Sequence, residues 1–203
     1  LKYTRAYPTC QSAKISRIKK SGPMHPLFLK GSDSDITSPF QALAVDFVWG
    51  MPSVRGMTGI MTLVDLFSKM TAFIPVKAKV TGQEVADLIH KHWIAYYGVP
   101  IQLHSDNDVR FMSEMWNLVL RNLGIGSRLS SVYHPQSNGT VERMNATLVD
   151  ALTAHRLDTG ITDWVSVLPW LSFCLNSVPS EGTQVSPHQL VFGRNLPDLP
   201  ALD

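Results

Sequence analysis

The stretch ALAVDFVWG, residues 42–50, sets the tightest condition on how this chain can fold. It reads as an apolar strand with Asp46 in its middle. A carboxylate there is costly to bury unless it is hydrogen-bonded, paired or bound to a metal. Two further acids have flanks that bring them toward the same place. Asp106 follows a short apolar run and sits in HSDNDVRF, residues 104–111. Glu142 stands at the start of a helical stretch, within the turn-rich YHPQSNGTVERMN, residues 133–145, and 35 residues lie between it and Asp106. Three carboxylates delivered by two strands and a helix suggest a shared cation site. Each also has a plainer reading: Asp46 as a satisfied buried acid, Asp106 as a turn aspartate, Glu142 as a first-turn glutamate favoured by the helix dipole.

The rest of the chain supplies a scaffold. With 203 residues and 44% hydrophobic composition, there is room for one sizeable core. No apolar run approaches the roughly 20 residues a membrane helix needs, and no signal peptide is visible. Cys10 and Cys174 are too few for a disulfide framework and fit a reducing compartment. A start at Leu1 rather than Met reads as a piece of a longer polyprotein. The net charge of +2 hides an asymmetry: residues 1–30 carry seven Lys or Arg and no acid, against 11 basic and 16 acidic residues in the remainder. Such an arm suggests contact with a polyanion; a solvated tail is the other reading that charge allows.

Residues 1–38, rich in Lys, Ser, Pro and Gly, read as a basic linker, and residues 39–203 as the folded unit. Strands are expected over 41–49, 58–66 and 70–76, with MPSVRGM (51–57) as a hairpin turn. A helix over 81–97 carries Val85, Leu88, Ile89 and Trp93 on one stripe, N-capped by Thr81 and stopped at Gly98. A short strand over 101–105, a helix over 113–123 and a strand over 128–131 follow. Ser137 or Asn138 opens a helix with Val141, Leu148 and Leu152 on one face, and a last helix spans 163–176. Three strands followed by alternating helices and strands indicate a mixed α/β sheet covered on both faces. Trp49, Trp93, Trp116, Trp164 and Trp170 lie in apolar patterns and read as core.

Several of these segments resemble the catalytic core of retroelement integrases, nearest the gypsy type of LTR retrotransposon. They are LVDLFSKMTAFIPV, YYGVP, HSDNDVRF, LSSVYHPQSNGTVERMN, DWVSVLPWLSFCLN and SPHQLVFGRNLPDLP, which together run from about residue 39 to 200. A D…D…E spacing alone says little in a chain with 16 acids. Combined with HPQ-x-NG-x-x-ER-x-N and SP-x-x-LVFGR it is specific.

The resemblance implies a ribonuclease H-like fold, a mixed five-stranded sheet flanked by helices. It also implies DNA integration, in which a polynucleotidyl transferase processes DNA 3′ ends and joins them to target DNA. Asp46 would bridge two Mg²⁺ or Mn²⁺ ions, with Asp106 on one and Glu142 on the other. Hard oxygen ligands suit such ions, and two of them can clamp the attacking and leaving oxygens of a phosphodiester. His134, Gln136, Asn138, Arg143 and Asn145 are the expected DNA contacts around Glu142, with Lys19 and Lys20 on the basic arm. Asn138–Gly139 is read as the turn of this loop, and turn chemistry and a solvated arginine are the plainer readings of these residues. DNA, further copies of the chain and the nucleus are the implied partners and location, with no membrane.

Two positions depart from the family pattern. YPTCQSAK matches the tail of the zinc-binding domain that precedes such cores, yet Tyr7 stands where a cysteine ligand would be, so no zinc is expected. Asp108 replaces a glycine two residues after the second aspartate, and aspartate is among the residues that best tolerate a left-handed backbone. These departures keep a second reading open, a degenerate integrase that binds nucleic acid or protein without catalysis. A ribonuclease H acting on RNA–DNA hybrids shares the fold, but the HPQ loop and the FGR tail argue against it.

Overall fold

The computed structural model describes residues 36–105, 117, 120–121, 125–129, 135–180 and 183–194. For residues 126–129 and 135–138 it describes the backbone alone. The sheet begins with β1 (Ala42–Val54), β2 (Met57–Asp65) and β3 (Thr71–Val76). It continues with β4 (Gln102–Ser105) and β5 (Gly126–Leu129). These five strands lie in the order β3-β2-β1-β4-β5. The first three pair antiparallel, and β4 and β5 run parallel to β1. That is the mixed five-stranded sheet expected from the sequence.

The first hairpin is longer than the sequence reading. MPSVRGM is not a loop: β1 runs on to Val54, and Val54 pairs with Met57. Only Arg55 (φ 52°) and Gly56 (φ 78°) turn. Positive φ at both central residues is the type I′ geometry, whose twist matches that of paired strands. The register shifts between Trp49 and Val54. Trp49 lies over its partner Gly59, where any β-carbon would come within 2.5 Å of the indole. Trp49 is therefore 37% exposed and not core, and Trp170 is 50% exposed, whereas Trp93 and Trp164 are buried as expected. Trp116 lies outside the described residues.

Strand alternation divides the core in two. Leu43 and Val45 point to one face, which α1 (Gly82–Ile89) covers with Val85, Ala86 and Ile89. Thr81 caps α1 in a capping box with Glu84, which satisfies two backbone donors that a helix start leaves open. The helix continues through a π turn, His90–Ile94, and a final turn, Ala95–Tyr97, ending at Gly98 with φ 85°. The π turn carries Trp93 into the core against Phe40 and Tyr97.

Ala44, Ile60 and Val64 point to the other face. There α2 (Pro135–Thr159) brings Val141, Leu148 and Leu152, and α3 (Trp164–Ser177) brings Trp164 and Leu168. The start of α2 corrects the sequence reading. The Asn138–Gly139 pair is helical rather than a turn, and the helix opens at Pro135. Proline suits a first helical turn because its missing N–H has no partner there. The expected helix over 113–123 lies largely outside the described residues; Asn117, Leu120 and Arg121 are helical.

The edge strand β3 is closed by α3 rather than left to solvent. Asn176 accepts from the Thr71 N–H and donates to the Thr71 carbonyl, both at 2.8 Å. Ser172 Oγ accepts from the Phe73 N–H at 3.1 Å. Pro75 offers no N–H at all. Unpaired edge groups invite another strand, and these contacts remove the invitation. A short helix, α4 (Pro187–Phe192), follows, capped by Ser186. Among the described residues no helix is long and apolar enough to cross a membrane.

Candidate active site

Alternation along β1 decides where the Asp46 carboxylate goes. Asp46 shares the face of Ala44, which is the α2 face, and its cross-strand partner on β2 is Thr62. One turn of α2 lies over this pair. Asn145 donates from Nδ2 to Asp46 Oδ2 at 2.8 Å, and its Oδ1 accepts from Thr62 Oγ at 2.6 Å. Asp46 Oδ1 accepts the Phe47 N–H at 2.8 Å. The half-buried carboxylate is thus held at both oxygens. Asn145 was expected on DNA; here both ends of its amide are engaged inside the protein.

Glu142 sits three residues before Asn145 on α2, and residues three apart neighbour each other on one helix face. Its side chain is exposed and makes no hydrogen bond or ion pair among the described residues. The strand that precedes the third acid in sequence, β4, lies on the other side of β1 from β2. Val45 of β1 pairs with Ser105 of β4, the last described pair of that ladder. Asp46 and Asp106 are the next residues of the two segments; Asp106 itself, with Asp108, lies outside the described residues. Among the described residues no three His, Cys, Asp or Glu side chains converge.

The donor set fits a hard divalent cation: carboxylate oxygens, one group half-buried and fixed, the other exposed and unengaged. Two buried hydroxyls lie near these acids in sequence. Ser105 Oγ precedes Asp106, Thr140 Oγ lies two residues before Glu142, and neither has a hydrogen-bond partner among the described residues. Buried polar atoms of that kind are uncommon in a folded chain.

The remaining expected contacts divide by location. Arg143 is exposed beside Glu142, and its Nε donates to the Gly139 carbonyl at 2.9 Å. Gln136 and Asn138 lie in the first turn of α2, with side chains outside the description, and His134, Lys19 and Lys20 lie outside the described residues. Sequence reasoning missed Thr62. Its signal was an isolated hydroxyl in the apolar run IMTLVD, opposite Asp46 once the hairpin register is drawn.

The arrangement of sheet and helices is the ribonuclease H-like fold of retroviral integrase cores. A chain of the simian T-cell lymphotropic virus intasome in complex with the PP2A regulatory subunit B56 gamma superposes with a TM-score of 0.67. It is 22% identical over 82% of this chain and 59% of that one. The HTLV-2 integrase catalytic core domain in complex with magnesium, in its trimeric form, gives 0.62 at 18% identity, covering 76% of this chain and 97% of that one. The BIV integrase catalytic core domain gives 0.59 at 24%, covering 76% and 95%. In sequence, the Tf2-3 and Tf2-4 transposon polyproteins of Schizosaccharomyces pombe are each 29% identical over 189 residues. That is 93% of this chain and 14% of each polyprotein, so the chain spans about one seventh of the length of these curated relatives. No family model matches the chain. Sequence and fold together support a retroelement integrase core, and they do not distinguish the gypsy type from others.

Proposed function

We propose that this chain is the catalytic part of a retroelement integrase, which trims DNA 3′ ends and joins them to target DNA. The observation that carries the reading is the Asn145–Asp46 bond. It fixes a strand carboxylate one helical turn from the exposed Glu142, on the side of β1 where β4 leads into Asp106. In this reading Asp46, Asp106 and Glu142 would hold a pair of Mg²⁺ or Mn²⁺ ions. Such ions, when bound, neutralise phosphate charge and assist the attacking and leaving oxygens.

The protein's own part is positioning. Thr62 fixes the Asn145 amide, Asn145 turns Asp46 toward α2, and α2 presents Glu142 to the substrate side. In trimming, the phosphodiester passes from a DNA 3′ oxygen to water; in joining, it passes from a target 3′ oxygen to the exposed 3′-hydroxyl. Joining breaks one phosphodiester and makes one, so it needs no external energy source and no covalent intermediate on the protein. We place this work in the nucleus, with DNA as substrate and further copies of the chain as partners.

Strand transfer with matched terminal-repeat DNA and Mg²⁺ or Mn²⁺ tests the reading. Joined product from the wild type, and none from Asp46→Asn, Asp106→Asn or Glu142→Gln, is the expected result. Joining by all three variants at the wild-type rate would reject it.

A further inference from the structure

A groove opens where the end of β3 meets α1. Its floor is made by Met57 of β2, Pro75 and Val76 of β3, Val80, and Leu88 of α1, around a volume of about 260 Å³. Val76 and Val80 are buried in the core on this side of the sheet. Four exposed charged side chains, Lys77, Glu84, Asp87 and Lys91, form the rim. The two carboxylates are engaged by their own helix. Glu84 Oε2 accepts from the Thr81 N–H at 2.8 Å and from its hydroxyl at 3.0 Å, and Asp87 Oδ1 accepts from Gln83 Nε2 at 3.0 Å. The two ammonium groups differ. After the Thr81 bonds, Lys77 helps to hold the Glu84 carboxyl below its ordinary value. Yet among the described residues neither Lys77 nor Lys91 makes a hydrogen bond or an ion pair.

These features say what kind of occupant fits. The volume falls just under the ~300–1,000 Å³ of small-molecule pockets and suits a few aliphatic side chains. Strand addition has no donor to use: the Thr71 and Phe73 N–H groups are taken by α3, and Pro75 has none. The occupant therefore binds through side chains, apolar ones for the floor and carboxylates for the two lysines. One segment of this chain has that chemistry. NLPDLPALD, residues 195–203, lies outside the described residues, holds two aspartates and no cation, and repeats leucine every third position at 196, 199 and 202. Three residues make one turn of polyproline II, the conformation that Pro197 and Pro200 favour, so in it the leucines share one face. Residues 1–30, by contrast, offer these lysines no acid.

We propose that residues 195–203 dock in this groove of their own chain, leucines on the floor and Asp198 and Asp203 at Lys77 and Lys91. The spacing agrees. Lys91 stands seven residues beyond Glu84, the acid that feels Lys77, or ~10 Å along the helix. Asp198 and Asp203 are five residues apart, ~15 Å in polyproline II, and the lysine stems cover the difference. The reach agrees as well. α4 packs on α3, and α3 ends beside Thr71 at the start of β3. From Thr71 to Val76 is ~17 Å of strand, against ~28 Å for the nine residues of the segment. The contact lies at the β3 edge of the sheet, two strands from Asp46, and is independent of the DNA-joining reading.

Zero-length carbodiimide cross-linking of the full chain, mapped by mass spectrometry, tests it. Lys77 or Lys91 becomes linked to Asp198 or Asp203, and the product keeps the mass of one chain at every protein concentration. Leu196→Ser, Leu199→Ser and Leu202→Ser together leave both aspartates in place and cut that yield about tenfold or more. A second readout needs no cross-link: the ¹³C-methyl resonance of Met57, on the groove floor, shifts between the wild type and the triple variant. No link from either aspartate to either lysine, a yield unchanged in the triple variant, or a Met57 methyl that does not move overturns the proposal. So does a product that joins two chains, which assigns the groove to a second copy. A link from the basic arm to Glu84 or Asp87 overturns it too, by giving the groove to residues 1–30.

Discussion

Asn145 of α2 donates to the carboxylate of Asp46 on β1 across 2.8 Å while accepting from Thr62 on β2. One side chain thus ties a helix to two strands at the point where the proposed chemistry occurs. Because Glu142 is one turn away on the same helix, the bond that orients Asp46 also sets where Glu142 stands. A helix that slid by a residue would lose both.

Asn145→Ala is expected to act in two measurable ways. It strands the fully buried Thr62 hydroxyl, which costs about 1–3 kcal/mol of stability by chemical denaturation. It also releases Asp46, lowering joining activity about 10–100-fold, the usual effect of losing a residue that orients a ligand group. Asn145→Asp keeps the shape but places a like charge on Asp46. Its acidic limb in the pH–rate profile therefore moves to higher pH.

The sequence singled out Asp46 and Glu142 because each sits in a pattern whose period says which way it faces. It read Asn145 as a DNA contact, without its bonds to Asp46 and Thr62, for a physical reason. An exposed-looking polar residue beside a helical glutamate suits DNA and a buried hydrogen bond equally well, and only the position of α2 over β1 and β2 separates them. The Asn138–Gly139 pair misled in the same manner. Its turn propensity amounts to about a kilocalorie, less than what the buried face of Val141, Leu148 and Leu152 contributes to keeping α2 helical. The hairpin was legible as a turn but not in length, since Arg55 is not a residue that advertises positive φ.

Leu148 is fully buried between Ile60, Phe73 and Leu168, near the middle of α2. Leu148→Ala is expected to cost about 2–5 kcal/mol, read from denaturant unfolding. Joining activity of the fraction that stays folded should remain near wild type, because the bonds that hold Asp46 come from Asn145 and the Phe47 N–H and not from Leu148. Loss of activity without loss of stability would show that the core does not position the site in the way described.

Acid should weaken two helix starts. The Thr81 backbone N–H holds the Glu84 carboxyl below its ordinary value, and the Ser166 hydroxyl does the same for Asp163. Both folded values are lowered, so this stabilisation is fully present above the unfolded carboxylate pKa near 4. It is lost as pH falls through the lowered folded values. Glu84→Gln combined with Asp163→Asn should melt below wild type at pH 7, with the gap closing under strongly acid conditions. A gap that is constant with pH would mean that charge plays no part in either cap.

The most direct test of the central claim is where Mn²⁺ binds. Anomalous scattering from crystals of the full chain soaked in Mn²⁺ locates the ion without requiring DNA or activity. The account predicts density coordinated by Asp46, within reach of Glu142 and Asp106, with Asp46 still bonded to Asn145, and its loss in Asp46→Asn. Mn²⁺ found elsewhere on the protein, with nothing at Asp46 under saturating conditions, would contradict it.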